Sequence, residues 1–351
     1  GSTNNVSFFV RNDSLFTAVS LDFEQNPSYS IRLSCQDGLL SFSKSFQIRV
    51  VNGNDAPTDL LLSNLVVAEN LPQGTTVGVF SSLDPDTGNV FTYSLVPGTG
   101  STNNNAFLIS GNQLKTASSF NYEAKNSYSI RVQTSDGNGG ALAKVFTITI
   151  LDANDVPTQI NLSAASIMEN KPANSLIGLL TTSDEDASNT FTYSLSGTMN
   201  DNVRFIISGN QLRTNQSFDF ESRSNYVVQI QTNDGNGGLV ERQFAIAVAD
   251  TNDAPTAITL TNQSVEENLA PGAYIGQVLA IDPDMASGHS FALVAGAGSS
   301  GNASFTIRQD SLFAAATFDF EANPSYSIRV RGTDQGGLFV EQALVIQVLD
   351  R

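Results

Sequence analysis

Asp152, Ala153, Asn154, Asp155, Val156, Pro157 is the stretch on which the reading of this chain turns. It recurs as Asn52, Gly53, Asn54, Asp55, Ala56, Pro57 and as Asp250, Thr251, Asn252, Asp253, Ala254, Pro255, and Leu349 with Asp350 begins another copy. A period of about one hundred residues, marked each time by Asn, Asp and Pro, predicts tandem domains joined by short acidic seams. The repeats read as 57–155, 156–253 and 254–351, while residues 1–56 match only the last four strands of a repeat.

Three landmarks hold that register. Glu69 and Asn70 return as Glu169, Asn170 and as Glu267, Asn268. Asp22, Phe23, Glu24 return as Asn121, Tyr122, Glu123, as Asp219, Phe220, Glu221 and as Asp319, Phe320, Glu321. Asp84 and Asp86 become Asp184 and Asp186, then Asp282 and Asp284.

Between landmarks the apolar pattern has a period of two. Tyr128, Ile130 and Val132 alternate with Ser129, Arg131 and Gln133, and Phe146, Ile148 and Ile150 alternate with Thr147 and Thr149. One wet and one buried face is the mark of antiparallel strands, and no window carries a useful helical stripe. In the first complete repeat the strands are expected at 59–67, 76–82, 91–95, 106–110, 113–116, 128–134 and 142–151. Seven short strands in about a hundred residues predict an all-β fold of tandem immunoglobulin-like sandwiches. Gly-rich stretches such as 136–140 and 234–238 are read as the turns joining the last two strands. Half a sandwich at 1–56 leaves its inner face and edges open, so either a boundary cuts it or strands from another molecule complete it. Because the chain opens in mid-repeat, it is expected to be a segment of a longer protein.

Acids outnumber bases 34 to 17, for a net charge of −17, while apolar residues make up 40%. The composition is that of a globular chain, and nucleic acid is excluded because phosphate binding needs clustered Lys and Arg. No signal peptide is visible, and no apolar run reaches the eighteen or so residues of a membrane span. The single cysteine, Cys35, shares parity with Tyr29, Ile31 and Leu33 and is expected to be buried. The single histidine, His289, is expected to be solvated in a loop. Tyr29, Tyr128, Tyr226 and Tyr326 recur at strand starts and are expected in the core or at a corner. Sequons such as Asn161, Leu162, Ser163 arise by chance in an Asn- and Ser-rich chain, and no glycan is assigned to them.

On a sandwich with its termini at opposite poles, Glu169, Asp219 and Glu221 lie at the lower pole, where Asp250, Asn252 and Asp253 leave it. Asp282, Asp284 and Asp334 lie at the upper pole of the next sandwich, so all nine groups are expected to meet at one seam. Two carboxylates at 4 Å repel by about 4 kcal/mol at an effective dielectric of about 20. Such a cluster calls for cations, and a set of carboxylate and amide oxygens suits Ca²⁺ rather than zinc or a redox metal.

This combination resembles the calcium signature of cadherin repeats. More closely, the Asn, Asp, Ala or Val, Pro, Thr ending is similar to bacterial cadherin-like repeats of large secreted surface proteins. The resemblance covers nearly the whole chain and implies calcium ions, up to three, clamped at each boundary of an extended rod. Carried over residue by residue, it implies Glu69, Glu123, Asp152, Asn154, Asp155, Asp184, Asp186 and Asp234 at one boundary. At the first boundary it implies Asp22, Glu24, Asn54, Asp55, Asp84, Asp86 and Asp136. The chain departs from the pattern at Asn52, which replaces the linker Asp, at Asn121, and at Ala56, Val156 and Ala254, where the family has Asn; the linker is also one residue shorter before its proline.

The expected function is a non-catalytic, calcium-stiffened stalk or adhesion segment of an extracellular bacterial surface protein. Its expected partners are calcium ions, other copies of the chain, and cell-surface proteins or glycans. A second reading is a protomer of a self-assembling filament or surface layer, completed by strand donation at the N-terminal half. A third is a glycan-binding module, against which stands the absence of Trp. An enzyme is disfavoured because one histidine and no nucleophile with a plausible base leave nothing to do acid–base or covalent chemistry.

Overall fold

A computed structural model describes residues 3–198, 200–284 and 288–351. The chain divides into two compact units, Gly1–Asp155 and Val156–Arg351. Among the described residues the only helices are short 3-10 turns at Asn5–Ser7, Asn104–Ala106, Asn200–Arg204 and Asn302–Ser304. None is long and apolar enough to cross a membrane.

The first unit opens with two hairpins, β1 (Phe8–Arg11) with β2 (Ser14–Thr17) and β3 (Ser28–Asp37) with β4 (Leu40–Arg49). A full sandwich follows: β5 (Asp59–Leu62), β6 (Val66–Ala68), β7 (Thr76–Leu83), β8 (Thr92–Leu95), β9 (Phe107–Ser110), β10 (Gln113–Thr116), β11 (Ser127–Ser135) and β12 (Ala141–Leu151). Its sheets run β5-β7-β10-β9 and β6-β12-β11-β8, antiparallel except where β6 pairs parallel to β12. The alternation read in β11 and β12 becomes burial: Ile130, Val132, Phe146, Ile148 and Ile150 face Leu60, Val77, Phe80 and Leu114 across the core. Apolar area taken from water between the two sheets is the main stabilising term.

The second unit repeats this order twice. Its first sandwich is β13 (Gln159–Leu162), β14 (Ser166–Met168), β15 (Leu176–Ser183), β16 (Thr192–Leu195), β17 (Phe205–Ser208), β18 (Gln211–Thr214), β19 (Asn225–Asn233) and β20 (Leu239–Ala249). The next is β21 (Ala257–Leu260), β22 (Ser264–Glu266), β23 (Tyr274–Ile281), β24 (Ser290–Leu293), β25 (Phe305–Arg308), β26 (Ser311–Ala314), β27 (Ser325–Thr333) and β28 (Phe339–Leu349). Strand order and the parallel β14–β20 and β22–β28 pairs match the first unit.

The strand expected at 59–67 is in fact two, because the chain crosses from one sheet to the other between β5 and β6. Asn64 makes the crossing, its amide donating to the carbonyls of Val66 and Val77. Beneath it β7 bulges at Val77, the register passing from Gly78 to Thr76. A Cβ on Gly78 would lie 2.9 Å from the Asn64 carbonyl oxygen, so only glycine lets the backbones approach.

Cys35 is exposed rather than buried. Its register partner is Phe42, and β3 and β4 have only the two-stranded β1–β2 hairpin beside them where a complete sandwich has a four-stranded sheet. The same shortfall leaves Phe46 41% exposed, whereas Phe146, its counterpart in β12, is 7% exposed. Tyr29 and Ile31 stay buried, with Phe8 packed edge-on against Tyr29 at 5.6 Å. The other recurring tyrosines likewise sit in aromatic clusters, Tyr128 on Phe120, Tyr226 on Phe218 and Tyr326 on Phe318.

Candidate cation site

Each complete sandwich buries a glutamate at the end of its second strand, and that glutamate staples two distant loops. Glu169 accepts hydrogen bonds from the Phe220 amide at 2.7 Å and the Thr251 amide at 2.8 Å. Glu69 does the same with Tyr122 at 2.6 Å and Ala153 at 2.9 Å, and Glu267 with Phe320 at 3.0 Å and Arg351 at 2.9 Å. Each carboxylate thus spans two loops far apart in sequence by accepting one backbone N–H from each.

In the second unit the staple opens onto a run of acids. Oxygens of Glu169, Asp219 and Glu221 lie within 4.8 Å of one another, as do those of Glu221, Asp250 and Asp284. The second trio draws on both sandwiches of that unit, since Glu221 and Asp250 belong to the first and Asp284 follows β23. Asp219 is shaped by its own turn, accepting from the Ser222 amide at 2.8 Å. Above, the Asp284 amide donates to Asp282 Oδ1 at 3.0 Å. The linker is tied to that loop, the Asp253 amide donating to Asp284 Oδ2 at 2.7 Å and the Asn252 amide group to Asp334 Oδ2 at 2.9 Å. Of the nine residues expected at this seam, Glu169, Asp219, Glu221, Asp250 and Asp284 come together through the two trios, hydrogen bonds tie Asp253 and Asp282 to Asp284, and Asn252 is tied to Asp334.

The electrostatics record the crowding. Burial, then the charges of Glu169, Asp250 and Asp284, hold the Glu221 carboxyl above its ordinary range. Asp250 is pushed up by burial and then by Asp284 and Glu169. Burial also raises Asp253, outweighing the hydrogen bond from Asn170 that pulls the other way. Repulsion of this kind is what a divalent cation relieves.

The first unit has a seam between its hairpins and its sandwich. Asp22 is occupied by its own turn, accepting from the backbone and side chain of Gln25 at 2.8 and 2.9 Å. The Asn52 amide donates to Asp86 Oδ1 at 3.0 Å, the Asn54 amide to Asp136 Oδ2 at 2.8 Å, and the Asp55 backbone to Asp86 Oδ2 at 2.7 Å. Asn52, standing where the other seams have Asp, thus supplies a donor instead of a charge. Burial, then Asp86, Asp55 and Asp22, raises Glu24. Asp84 Oδ1 accepts from the Asp86 amide at 2.9 Å, while its Oδ2 is buried with no hydrogen-bond partner among the described residues. A buried carboxylate oxygen of that kind suits a cation better than any neutral donor set.

At the remaining boundary the two faces belong to different units. On the first unit Glu69, Glu123 and Asp152 converge within 4.8 Å, and Asn154 folds its amide onto the Asp155 carbonyl at 2.8 Å. A backbone hydrogen bond draws the Glu123 pKa down, but burial and the charges of Glu69, Asp152 and Asp155 prevail and raise it. On the second unit Asp184 accepts from the Asp186 amide at 3.1 Å, and Asn189 donates to Asp184 at 3.0 Å and Asp186 at 3.3 Å. Asp234 organises its own turn, with the amides of Asn236 and Gly238 on Oδ1 at 2.7 and 3.0 Å. Asp136 is built likewise, and the Asn54 amide is the main cause of its lowered pKa.

His289 is not solvated: its Nε2 lies 2.6 Å from Asp282 Oδ2, and its side chain is largely covered. It takes the role of Asn189 in the preceding sandwich. A further acidic trio, Glu267, Glu321 and Asp350, converges at the far end of the second unit. Its members are the next copies of Glu169, Glu221 and Asp250, so the repeat register alone could have found them. The donors present at the seams are hard oxygens with no thiolate among them, a set that fits Ca²⁺.

No protein-family profile matches the chain. It is 25% identical to human Protocadherin beta-1 over 359 residues, covering 94% of this chain and 43% of that protein. It is 28% identical to human Protocadherin gamma-B6 over 358 residues, covering 94% and 38%. The chain thus spans about two fifths of the length of these curated relatives. Among solved structures, the Protocadherin GammaB4 extracellular domain superposes with a TM-score of 0.62 at 26% identity, covering 98% of this chain and 59% of that one. Protocadherin Gamma B2 extracellular cadherin domains 1–5 give 0.63 at 24%, covering 98% and 71%. The tandem sandwiches share the cadherin-like fold of these protocadherin extracellular-domain structures.

Proposed function

We propose that this chain is a non-catalytic, calcium-stiffened segment of an extracellular surface protein, serving cell attachment or matrix structure as the repeats of large bacterial surface proteins do. The observation that carries this is the trio Glu221, Asp250 and Asp284, in which two sandwiches of one unit bring carboxylates within 4.8 Å. Bound calcium would neutralise that trio and convert a repelling joint into a stiff one. Glu169, Asp219, Glu221, Asp250, Asn252, Asp253, Asp282, Asp284 and Asp334 would hold it there. Their counterparts at the other seams would act alike, with the first seam weakest because Asn52 has replaced a carboxylate. At a Kd of about 0.1 mM and calcium of about 1 mM, each site adds about 1.4 kcal/mol by linkage. Calcium added to metal-free protein should therefore raise the melting temperature and narrow the distribution of end-to-end lengths in small-angle scattering. Unchanged melting and scattering would refute the proposal.

A second reading concerns residues 3–50, where Leu40 and Phe42 are 77% and 66% exposed beside an apolar groove of about 380 Å³. Phe23 and Gly53 hold the positions of Tyr122 and Ala153, and line a polar cavity of about 330 Å³ where Glu69 sits in the complete sandwich. Strands equivalent to β5–β8, carrying a glutamate, would fill both; supplied by another molecule they would build a filament or surface layer. Sedimentation of this chain decides for that source if it assembles with concentration, and against it if it stays a monomer.

A further inference from the structure

The residue after each stapling glutamate is asparagine, and its side chain does something the glutamate does not. Asn70, Asn170 and Asn268 all have left-handed backbones, with φ of 58°, 57° and 64°. Each backbone N–H is held by a carbonyl of the loop that leads into β11, β19 or β27, Phe120 at 3.1 Å, Phe218 at 3.0 Å and Phe318 at 3.0 Å. Such a conformation costs most side chains energy, and glycine would meet it at lower cost. Asparagine tolerates it and adds an amide. That amide donates to Asp155 Oδ1 at 2.7 Å from Asn70 and to Asp253 Oδ1 at 2.6 Å from Asn170.

We infer that Asn70 and Asn170 are positioning residues for the cation: their left-handed backbone aims a neutral donor at the linker aspartate and holds its carboxylate in place before the ion arrives. The inference rests on calcium binding as proposed above. Asp253 is the residue where the two sandwiches of the second unit meet, since its own amide is bonded to Asp284 Oδ2. It lies among acids, with Glu169, Asp284 and Asp219 all acting on it. Only an uncharged donor suits such a place. A lysine would neutralise the aspartate and compete with the ion, and an aspartate would repel it. Holding one oxygen in advance lowers the ordering cost of binding, the usual gain from preorganisation.

Asn268 is a built-in control. It shares the backbone conformation and the N–H bond to Phe318, which places it beside the Glu267 staple of the next sandwich rather than at Asp253. The full chain with Asn170→Gly, Asn170→Asp or Asn268→Gly, followed by NMR at the Asp253 and Asp284 amides, separates the two roles. Asn170→Gly keeps the left-handed turn and loses only the amide; it should weaken calcium binding at those resonances about tenfold, the worth of one charge-assisted hydrogen bond near the surface. Asn170→Asp should weaken it further, and Asn268→Gly should leave it unchanged. Wild-type affinity in Asn170→Gly, or an equal loss in Asn268→Gly, overturns the inference. The metal-free protein gives a second readout that does not depend on calcium at all. There the Asn170 side-chain NH₂ protons should be protected and the Asp253 carboxyl shift should move in Asn170→Gly. If the wild-type resonances ignore calcium, the calcium proposal fails, and these metal-free signals still uphold the asparagine's positioning of Asp253 or, if unmoved, refute it.

Discussion

Glu169 bears on the stability of its sandwich through two bonds, and its substitution can be worked through numerically. In Glu169→Ala the amides of Phe220 and Thr251 lose the buried carboxylate that accepts from them. A hydrogen bond to a charged group contributes about 1.5–3 kcal/mol, so about 2 kcal/mol of local protection should vanish at each amide. That corresponds to about 30-fold faster hydrogen exchange. Removing the charge also relieves repulsion with Asp219 and Glu221, which would mask the loss in a global melt. Exchange measured on metal-free protein in about 0.5 M salt, where the Debye length is about 4 Å, suppresses that relief. Glu169→Gln retains one carbonyl oxygen and should release one amide of the pair. Tyr122 and Ala153, stapled by Glu69, serve as internal controls and should not change. If Phe220 and Thr251 exchange at the wild-type rate in Glu169→Ala, the staple is not what holds the loops.

Other consequences can be tested on the same protein. Glu221, Asp250 and Asp253 have raised pKa values, so the folded state binds their protons more tightly than the unfolded chain does. Their effect is unfavourable above the raised folded pKa and fades as pH falls through it towards the ordinary carboxyl range, so over that fall these groups should destabilise metal-free protein less; with calcium present the same protons compete with the ion and its apparent affinity should fall. Gly78→Ala forces a Cβ against the Asn64 backbone and should cost about 1–3 kcal/mol in urea, whereas Gly53→Ala, with open space around it, should cost little. Phe146→Ala should destabilise its sandwich by about 3–5 kcal/mol, while Phe46→Ala, its exposed counterpart, should cost much less.

Much of the fold was legible because burial in a sandwich follows strand parity. The alternation from Tyr128 to Val132 reappears as buried Ile130 and Val132, and Asn, Asp and Pro mark the turns in plain composition. The strand expected at 59–67 misled because parity does not register a crossing between sheets; only Asn64 and Gly78 mark it, through a contact between residues fourteen apart. Parity put Cys35 on the face of Ile31 and so predicted it buried, but whether that face is covered depends on other strands, and Cys35 is exposed. At the seams, acid spacing pointed to loops that bring carboxylates close together, because repetition aligns them. It could not show that Asp22 and Asp136 spend bonds on their own turns, or that Asn70 and Asn170 reach residues more than eighty positions away. Nor could it tell that His289 leans on Asp282, since a lone histidine carries no periodicity.

The parallel pairing of the second strand with the last has a mechanical meaning. In β14 and β20, Ser166, Ile167 and Met168 lie beside Ala247, Val248 and Ala249, so the polypeptide arrives at one end of this short ladder and departs at the other. Tension drawn through the chain therefore slides the two strands past each other and loads all their bonds at once, instead of peeling them singly. Stretched between optical traps, each sandwich should give way in one abrupt, high-force step, and Ile167→Pro, which deletes a rung of that ladder, should lower the force.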